Sequence, residues 1–153
     1  NSRNNFTFPW SSNGATCEHD KYNRLSGCME FFHQLKNQGF KTGVATSAPF
    51  ANLELIGGRL DLFPLIISAL ASEQVSKHKP DPEVYLKTAA NLSLSPDQCV
   101  VFEDSFSGVS AAKNAGMKVV GVLSSHTVEQ LPVCDFYIEN YKNIYFFNFL
   151  EIG

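Results

Sequence analysis

Apolar residues along this chain fall into two alternating rhythms. Short stretches dense in apolar residues occur at 40–45, 62–68, 99–102, 118–122 and 135–138, the one at 99–102 apolar throughout. Between them lie stretches in which apolar positions recur every three or four residues. A continuous short run is the mark of a strand covered on both faces, and the longer period is that of an amphipathic helix. The predicted order begins with a helix over 28–37, capped by Ser26 and stopped by Gly39, with Met29, Phe32 and Leu35 on one face and Phe31 beside them. A strand over 40–45 then ends in Thr46-Ser47, and a helix over 51–56 runs until Gly57-Gly58. A short buried strand lies within 62–68. Pro82-Glu83 opens a helix whose Val84, Tyr85, Thr88, Ala89 and Leu92 form a buried stripe. The strand through Val100 leads into a helix from Val109 to Gly116, followed by a strand over 118–122. Thr127 caps a short helix to Leu131, 135–138 is a last strand, and 141–150 is a terminal helix. Strands alternating with helices predict an α/β domain with a Rossmann-like, doubly wound parallel sheet.

Residues 1–24 break this pattern. They are turn-rich and polar apart from the aromatic run Phe6-Thr7-Phe8-Pro9-Trp10, and Pro9 restricts that run to an edge strand at best. The organisation expected is therefore an irregular segment, 1–24, followed by one core domain, 25–153. With 153 residues, 44% hydrophobic and 18% charged, the chain can bury a core of its own. Its net charge of −3 argues against a nucleic-acid binder, which carries a basic face. No apolar run reaches the length of a membrane span. The four cysteines show no CxxC spacing, and Cys28 and Cys99 read as small buried hydrophobes, which fits a reducing, cytoplasmic setting.

Candidate chemistry sits at or just after strand ends, where open α/β sheets bind ligands. Thr46-Ser47 offers hydroxyls and main-chain amides to phosphoryl oxygens. Lys79, in Lys79-Pro80-Asp81-Pro82, neutralises negative charge. Glu103-Asp104 offers the hard oxygens that magnesium takes beside phosphates. Taken singly, each has a plain structural reading: a threonine ending a strand, a solvated lysine, and carboxylates capping the following helix.

In this order the three sites resemble the haloacid dehalogenase superfamily, in its β-phosphoglucomutase and phosphoglycolate-phosphatase-like branch. Gly43-Val44-Ala45-Thr46-Ser47 is similar to that family's second motif, Lys79-Pro80-Asp81-Pro82-Glu83-Val84-Tyr85 to its third, and Val101-Phe102-Glu103-Asp104-Ser105 with Gly108 to its acidic fourth. The resemblance covers roughly residues 25 to 140. It implies a magnesium-dependent phosphatase or phosphomutase acting on small phosphorylated metabolites such as sugar phosphates. Thr46 and Ser47 would bind phosphate, Lys79 would pair with nucleophile and phosphate, Asp104 would hold the metal, and Glu103 would support the metal shell directly or through water.

The same resemblance exposes a departure. The family's first motif, a strand ending in Asp-x-Asp-Gly that supplies the nucleophilic aspartate and the general acid/base, has no counterpart here; Asp20 follows no apolar strand. The helical cap that reads the substrate is absent or reduced to residues 1–24. The core is thus expected to be incomplete on its N-terminal side and inactive as given, with a non-catalytic binding domain as the alternative. In relatives the missing strand lies between the strands ending at Thr46 and Asp104. Each buried unpaired backbone group costs about 1–3 kcal/mol, so the gap cannot stay open. A missing N-terminal segment or a second chain is expected to fill it, rather than Phe6-Thr7-Phe8, and the chain alone is expected to associate through exposed strand edges.

Overall fold

The computed structural model describes residues 5–10 and 27–142. Six parallel strands, β1 (Asn5–Trp10), β2 (Thr42–Thr46), β3 (Ser68–Leu70), β4 (Cys99–Glu103), β5 (Lys118–Val122) and β6 (Phe136–Ile138), form one sheet in the order β3-β2-β1-β4-β5-β6. Among the described residues four α-helices connect them: α1 (Cys28–Asn37), α2 (Phe50–Arg59), α3 (Glu83–Asn91) and α4 (Phe106–Asn114). This is the doubly wound architecture that the alternation of elements predicts.

Successive strand residues feed opposite faces. Val44, Val100, Phe102, Val120 and Val122 join Phe31, Phe32 and Leu35 of α1 and Leu53 of α2 in one core. Ala45, Val101 and Val119 join Val84, Tyr85 and Ala89 of α3 and Val109, Ala111 and Ala112 of α4 in the other. Period-two alternation within an all-apolar run thus fills two layers at once. Phe31 meets Phe102 edge-on at 5.4 Å between ring centroids, and Tyr141 lies 5.8 Å from Phe102 in the same cluster. α1 closes at Gly39, whose φ of 83° is the left-handed geometry of a helix end; the Phe40 amide donates back to the Leu35 carbonyl at 2.9 Å. Cys28 and Cys99 are buried as expected, and burial pushes their thiols up to about 12 and about 11.

Several boundaries shift for identifiable reasons. α2 continues through Gly57 and Gly58 to Arg59, because Gly57 is buried under the Phe63 ring, 2.8 Å from where a Cβ would stand. That packing outweighs a helix penalty of about 1 kcal/mol per glycine. The 62–68 run is a 3-10 turn at Phe63–Leu65 followed by β3 at Ser68–Leu70, with Pro64 inside the turn. α4 starts at Phe106, before Val109, because the Ser105 hydroxyl accepts the Gly108 amide at 3.1 Å and caps it. The segment after Thr127 is a 3-10 turn, Val128–Gln130. The N-terminus of α1 is capped at Gly27; the expected cap Ser26, and all but the first two residues of the expected helix over 141–150, lie outside the described residues. Among the described residues no helix is long and apolar enough to cross a membrane.

The largest correction concerns the slot between β2 and β4. It is filled by this chain's own Asn5–Trp10, the run expected not to fill it. β1 pairs with β2 from Phe6↔Thr42 to Trp10↔Thr46, but with β4 only over Asn5–Thr7. Pro9 therefore lies beyond the end of the β4 ladder. The strand is central by position and an edge on one side where proline occurs, which is where a missing N–H is tolerated. With the central slot occupied, the chain as given is expected to sediment as a monomer at micromolar concentration and to melt in one cooperative transition. Concentration-dependent association that is abolished by blocking strand edges would contradict this topology.

Candidate functional site

All six strands run parallel, so their carboxyl ends share one edge. Thr7 pairs with both Gly43 and Val101. Three residues further along each strand, Thr46, Trp10 and Asp104 therefore reach the same level. With strands about 4.8 Å apart, the main chains at Thr46 and Asp104 are about 10 Å from each other, with the end of β1 between them. This is the crevice at the reversal of strand order, the usual ligand position in such sheets.

Glu103, the last residue of β4, is 1% exposed. A buried carboxylate must be matched by charge and hydrogen bonds, and this one is matched on both oxygens. Oε1 accepts Lys79 Nζ at 2.6 Å and the Tyr85 hydroxyl at 2.5 Å. Oε2 accepts the Asp104 amide at 3.1 Å, the Ser105 amide at 3.4 Å and the Ser105 hydroxyl at 3.2 Å. The Lys79 side chain is only 7% exposed, and its ammonium stands 4.9 Å from the centroid of the Tyr85 ring. A cation over an aromatic face gains a further electrostatic attraction. Tyr85 is fully buried, and burial together with the neighbouring Glu103 charge holds its hydroxyl well above the usual tyrosine range, so it remains a proton donor. Room for the carboxylate exists because residue 108 is glycine: a Cβ there would stand 2.0 Å from the Glu103 carboxyl carbon.

Asp104 follows immediately and is half-buried. Desolvation first, and the Glu103 charge second, raise its carboxyl above the ordinary range; its own amide, Lys79 and His126 pull it back. Its main-chain carbonyl lies 2.9 Å from His126 Nδ1 and accepts the Ser125 hydroxyl at 3.4 Å. At the end of β2, Thr46 is buried and its hydroxyl accepts the Ala48 amide at 3.0 Å, which shapes the turn, while Ser47 is exposed. The Ala48 carbonyl then accepts the Ser72 amide at 3.0 Å, tying this turn to the segment that leads towards Lys79.

The structure thus joins Lys79 directly to Glu103, sets Asp104 beside them, and brings Thr46 and Ser47 to the same edge of the sheet. Sequence reasoning missed Tyr85 and His126. Tyr85 fits the apolar stripe of α3 so well that periodicity gives no hint of its hydroxyl's partner. His126 carries one signal, its position in the loop after β5 at the carboxyl edge. The third motif is held in place from outside as well, since Asn114 donates to the Pro80 carbonyl at 3.1 Å.

Two outcomes follow from this packing. Lys79→Met leaves a buried carboxylate without its cation and is expected to cost about 3–5 kcal/mol of stability. Lys79→Met combined with Glu103→Gln is expected to recover much of that loss in denaturant melts, because the charge itself is then gone; equal destabilisation of the single and double variants would refute the charge argument. Gly108→Ala drives a methyl into a carboxylate held by five donors. It is expected to cost about 1–3 kcal/mol, the range for overpacking a rigid site, measured as a lowered thermal midpoint.

Comparison with known proteins bears on the family and the fold. Residues 10–122 match the family model described as haloacid dehalogenase-like hydrolase. The chain is 34% identical over 120 residues to a validoxylamine A 7'-phosphate phosphatase of Streptomyces hygroscopicus subsp. limoneus, covering 78% of this chain and 56% of that protein. It is 39% identical over 98 residues to the β-phosphoglucomutase of Bacillus subtilis, covering 64% of this chain and 42% of that protein. The chain thus spans about half the length of these relatives. Among solved structures, a β-phosphoglucomutase from Clostridium difficile superimposes with a TM-score of 0.73 at 22% identity, over 82% of this chain and 54% of that one, a likeness of fold. With three quarters of its length inside the family model and the same sheet, this chain belongs to the haloacid dehalogenase-like hydrolases.

Proposed function

We propose that this chain forms the phosphate-handling core of a phosphatase or phosphomutase acting on small phosphorylated metabolites, sugar phosphates first among them. The observation that carries the reading is the buried Lys79–Glu103 pair, 2.6 Å long, beside the Asp104 carboxylate at the end of β4. Relatives named as a phosphate-ester phosphatase and as β-phosphoglucomutase support the substrate class.

The residues divide the work by their chemistry. Lys79, neutralised on one side by Glu103, offers its remaining N–H donors and its charge to a phosphoryl group. Tyr85 and the amides of Asp104 and Ser105 hold Glu103, and so hold the lysine. Thr46 and Ser47, across β1, supply hydroxyl and main-chain contacts to the phosphoryl oxygens. Asp104 fits magnesium by donor type: it is a hard oxygen ligand, and among the described residues no other residue donates a hydrogen bond to its carboxylate; Glu103, with both oxygens already held by five donors, would support the metal shell from behind rather than as a direct ligand. Bound at Asp104, the cation would neutralise phosphoryl charge and offset the desolvation and, second to it, the Glu103 repulsion that raise the Asp104 carboxyl. Among the described residues no group of three or more metal-binding side chains assembles, so water and phosphate would complete the shell and binding of the ion alone would be weak. The buried free thiols of Cys28, Cys99 and Cys134 support a reducing, cytoplasmic setting.

A second reading, a non-catalytic phosphate-binding domain, is favoured by one feature. The central strand reaches the level of Thr46 and Asp104 at Trp10, and Asn5–Trp10 contains no carboxylate. In the proposed chemistry that strand end carries the nucleophile. The chain as given is therefore expected to show no magnesium-dependent hydrolysis of p-nitrophenyl phosphate, yet to bind inorganic phosphate in the presence of magnesium, with affinity lowered about 10-fold by Thr46→Val, the scale of one hydrogen bond to a charged group. Calorimetry with phosphate and a turnover assay test both halves. Magnesium-dependent turnover would point to a nucleophile elsewhere in the chain, and unchanged binding by Thr46→Val would remove Thr46 from the site.

A further inference from the structure

The β4 ladder with β5 ends at Glu103↔Gly121, so the main chain of Asp104 leaves the sheet without a strand partner. Backbone groups in a half-buried position need partners, and both of this residue's groups have one. The Asp104 amide donates to Glu103 Oε2 at 3.1 Å. The Asp104 carbonyl is met by His126 Nδ1 at 2.9 Å, from the loop that follows the neighbouring strand β5. A carbonyl oxygen can only accept, so this contact is a hydrogen bond when Nδ1 carries the proton, and that is the tautomer the geometry favours. Ser125 stands beside this contact, with its Oγ 3.0 Å from Nδ1 and 3.4 Å from the Asp104 carbonyl oxygen. The peptide unit on each side of the Asp104 Cα is thereby fixed, one by Glu103 and one by His126.

We propose that His126 is a positioning residue of the cation site: its Nδ1–H, donated to the Asp104 main-chain carbonyl, fixes the strand end that carries the Asp104 carboxylate. The proposal rests on the reading of Asp104 as a magnesium ligand. An imidazole donating to a carbonyl is a contact that orients without touching substrate, and loss of such outer partners typically weakens metal binding about 10–100-fold. The contact also ties the loop after β5 to the end of β4.

Two measurements test it on the full chain. In a long-range 1H–15N spectrum taken above the titration range of the imidazoles, with the His126 signals assigned by their absence in His126→Asn, the Nδ1–H tautomer is expected; the Nε2–H tautomer would overturn the proposal with no metal involved. Binding of Mn2+, followed by electron paramagnetic resonance of the free ion with inorganic phosphate present, is the second. Asparagine can place an N–H near the position of Nδ1, whereas glutamine places its amide near Nε2. His126→Asn is expected to keep Mn2+ affinity within about 3-fold of the parent chain, while His126→Gln and His126→Ala lose about 10-fold or more. Equal losses for all three, or losses that track only their thermal midpoints, would mean a structural role and overturn the proposal. Asp104→Asn separates the two readings: if it leaves Mn2+ binding unchanged, the metal site itself is wrong, and the tautomer alone then decides whether His126 holds Asp104.

Discussion

A carboxylate that is 1% exposed has to be neutralised where it stands, and the region around Glu103 is built to that requirement. Lys79 supplies the charge, Tyr85 and Ser105 supply hydroxyls, and two main-chain amides complete the set. Gly108 supplies the empty volume. These groups come from three separate stretches: the loop before α3, α3 itself, and the junction of β4 with α4. Buried ion pairs add little net stability compared with an apolar core, because desolvation offsets their attraction. What this one supplies is geometry: it holds an ammonium group in a fixed place beside a second, partly desolvated carboxylate.

Where that cluster sits is determined by the sheet. A parallel sheet brings every strand's carboxyl end to one edge, and the pairing register sets Thr46, Trp10 and Asp104 level. Two residues nearly sixty apart in sequence therefore face a common crevice across a single intervening strand. α1 and α2 cover one face and α3 and α4 the other, so the site has rigid elements behind it on both sides. The loops that bear Lys79 and His126 are tied to the same frame, through Asn114 to the Pro80 carbonyl and through His126 to the Asp104 carbonyl.

The central strand shows how a local rule yields to a global requirement. Proline marks Phe6–Trp10 as unfit for a sheet interior when the run is read alone. In the fold the alternative is an open slot between β2 and β4, with backbone groups on both flanking strands left unpaired. Pairing with β2 along five residues and with β4 along three satisfies those groups, and the proline falls past the shorter ladder.

What the sequence determined by itself was everything carried by periodicity and by residue type. The apolar runs at 99–102 and 118–122, the helical stripe containing Tyr85 and Ala89, and the polar groups Thr46, Lys79, Glu103 and Asp104 at strand ends or just after them imply an α/β sheet with a phosphate-type edge, because burial demands those patterns wherever they occur. Tertiary structure alone decided the rest, because it concerns pairings between distant segments. Nothing near Phe6 in sequence tells which strands will flank it, since strand order is settled by the summed burial of both sheet faces. Nothing in the α3 stripe marks Tyr85 as more than core, since its hydroxyl acquires meaning only where Glu103 arrives from 18 residues away. His126 likewise becomes part of the site only when β5 lies beside β4 and its loop meets the carbonyl of Asp104.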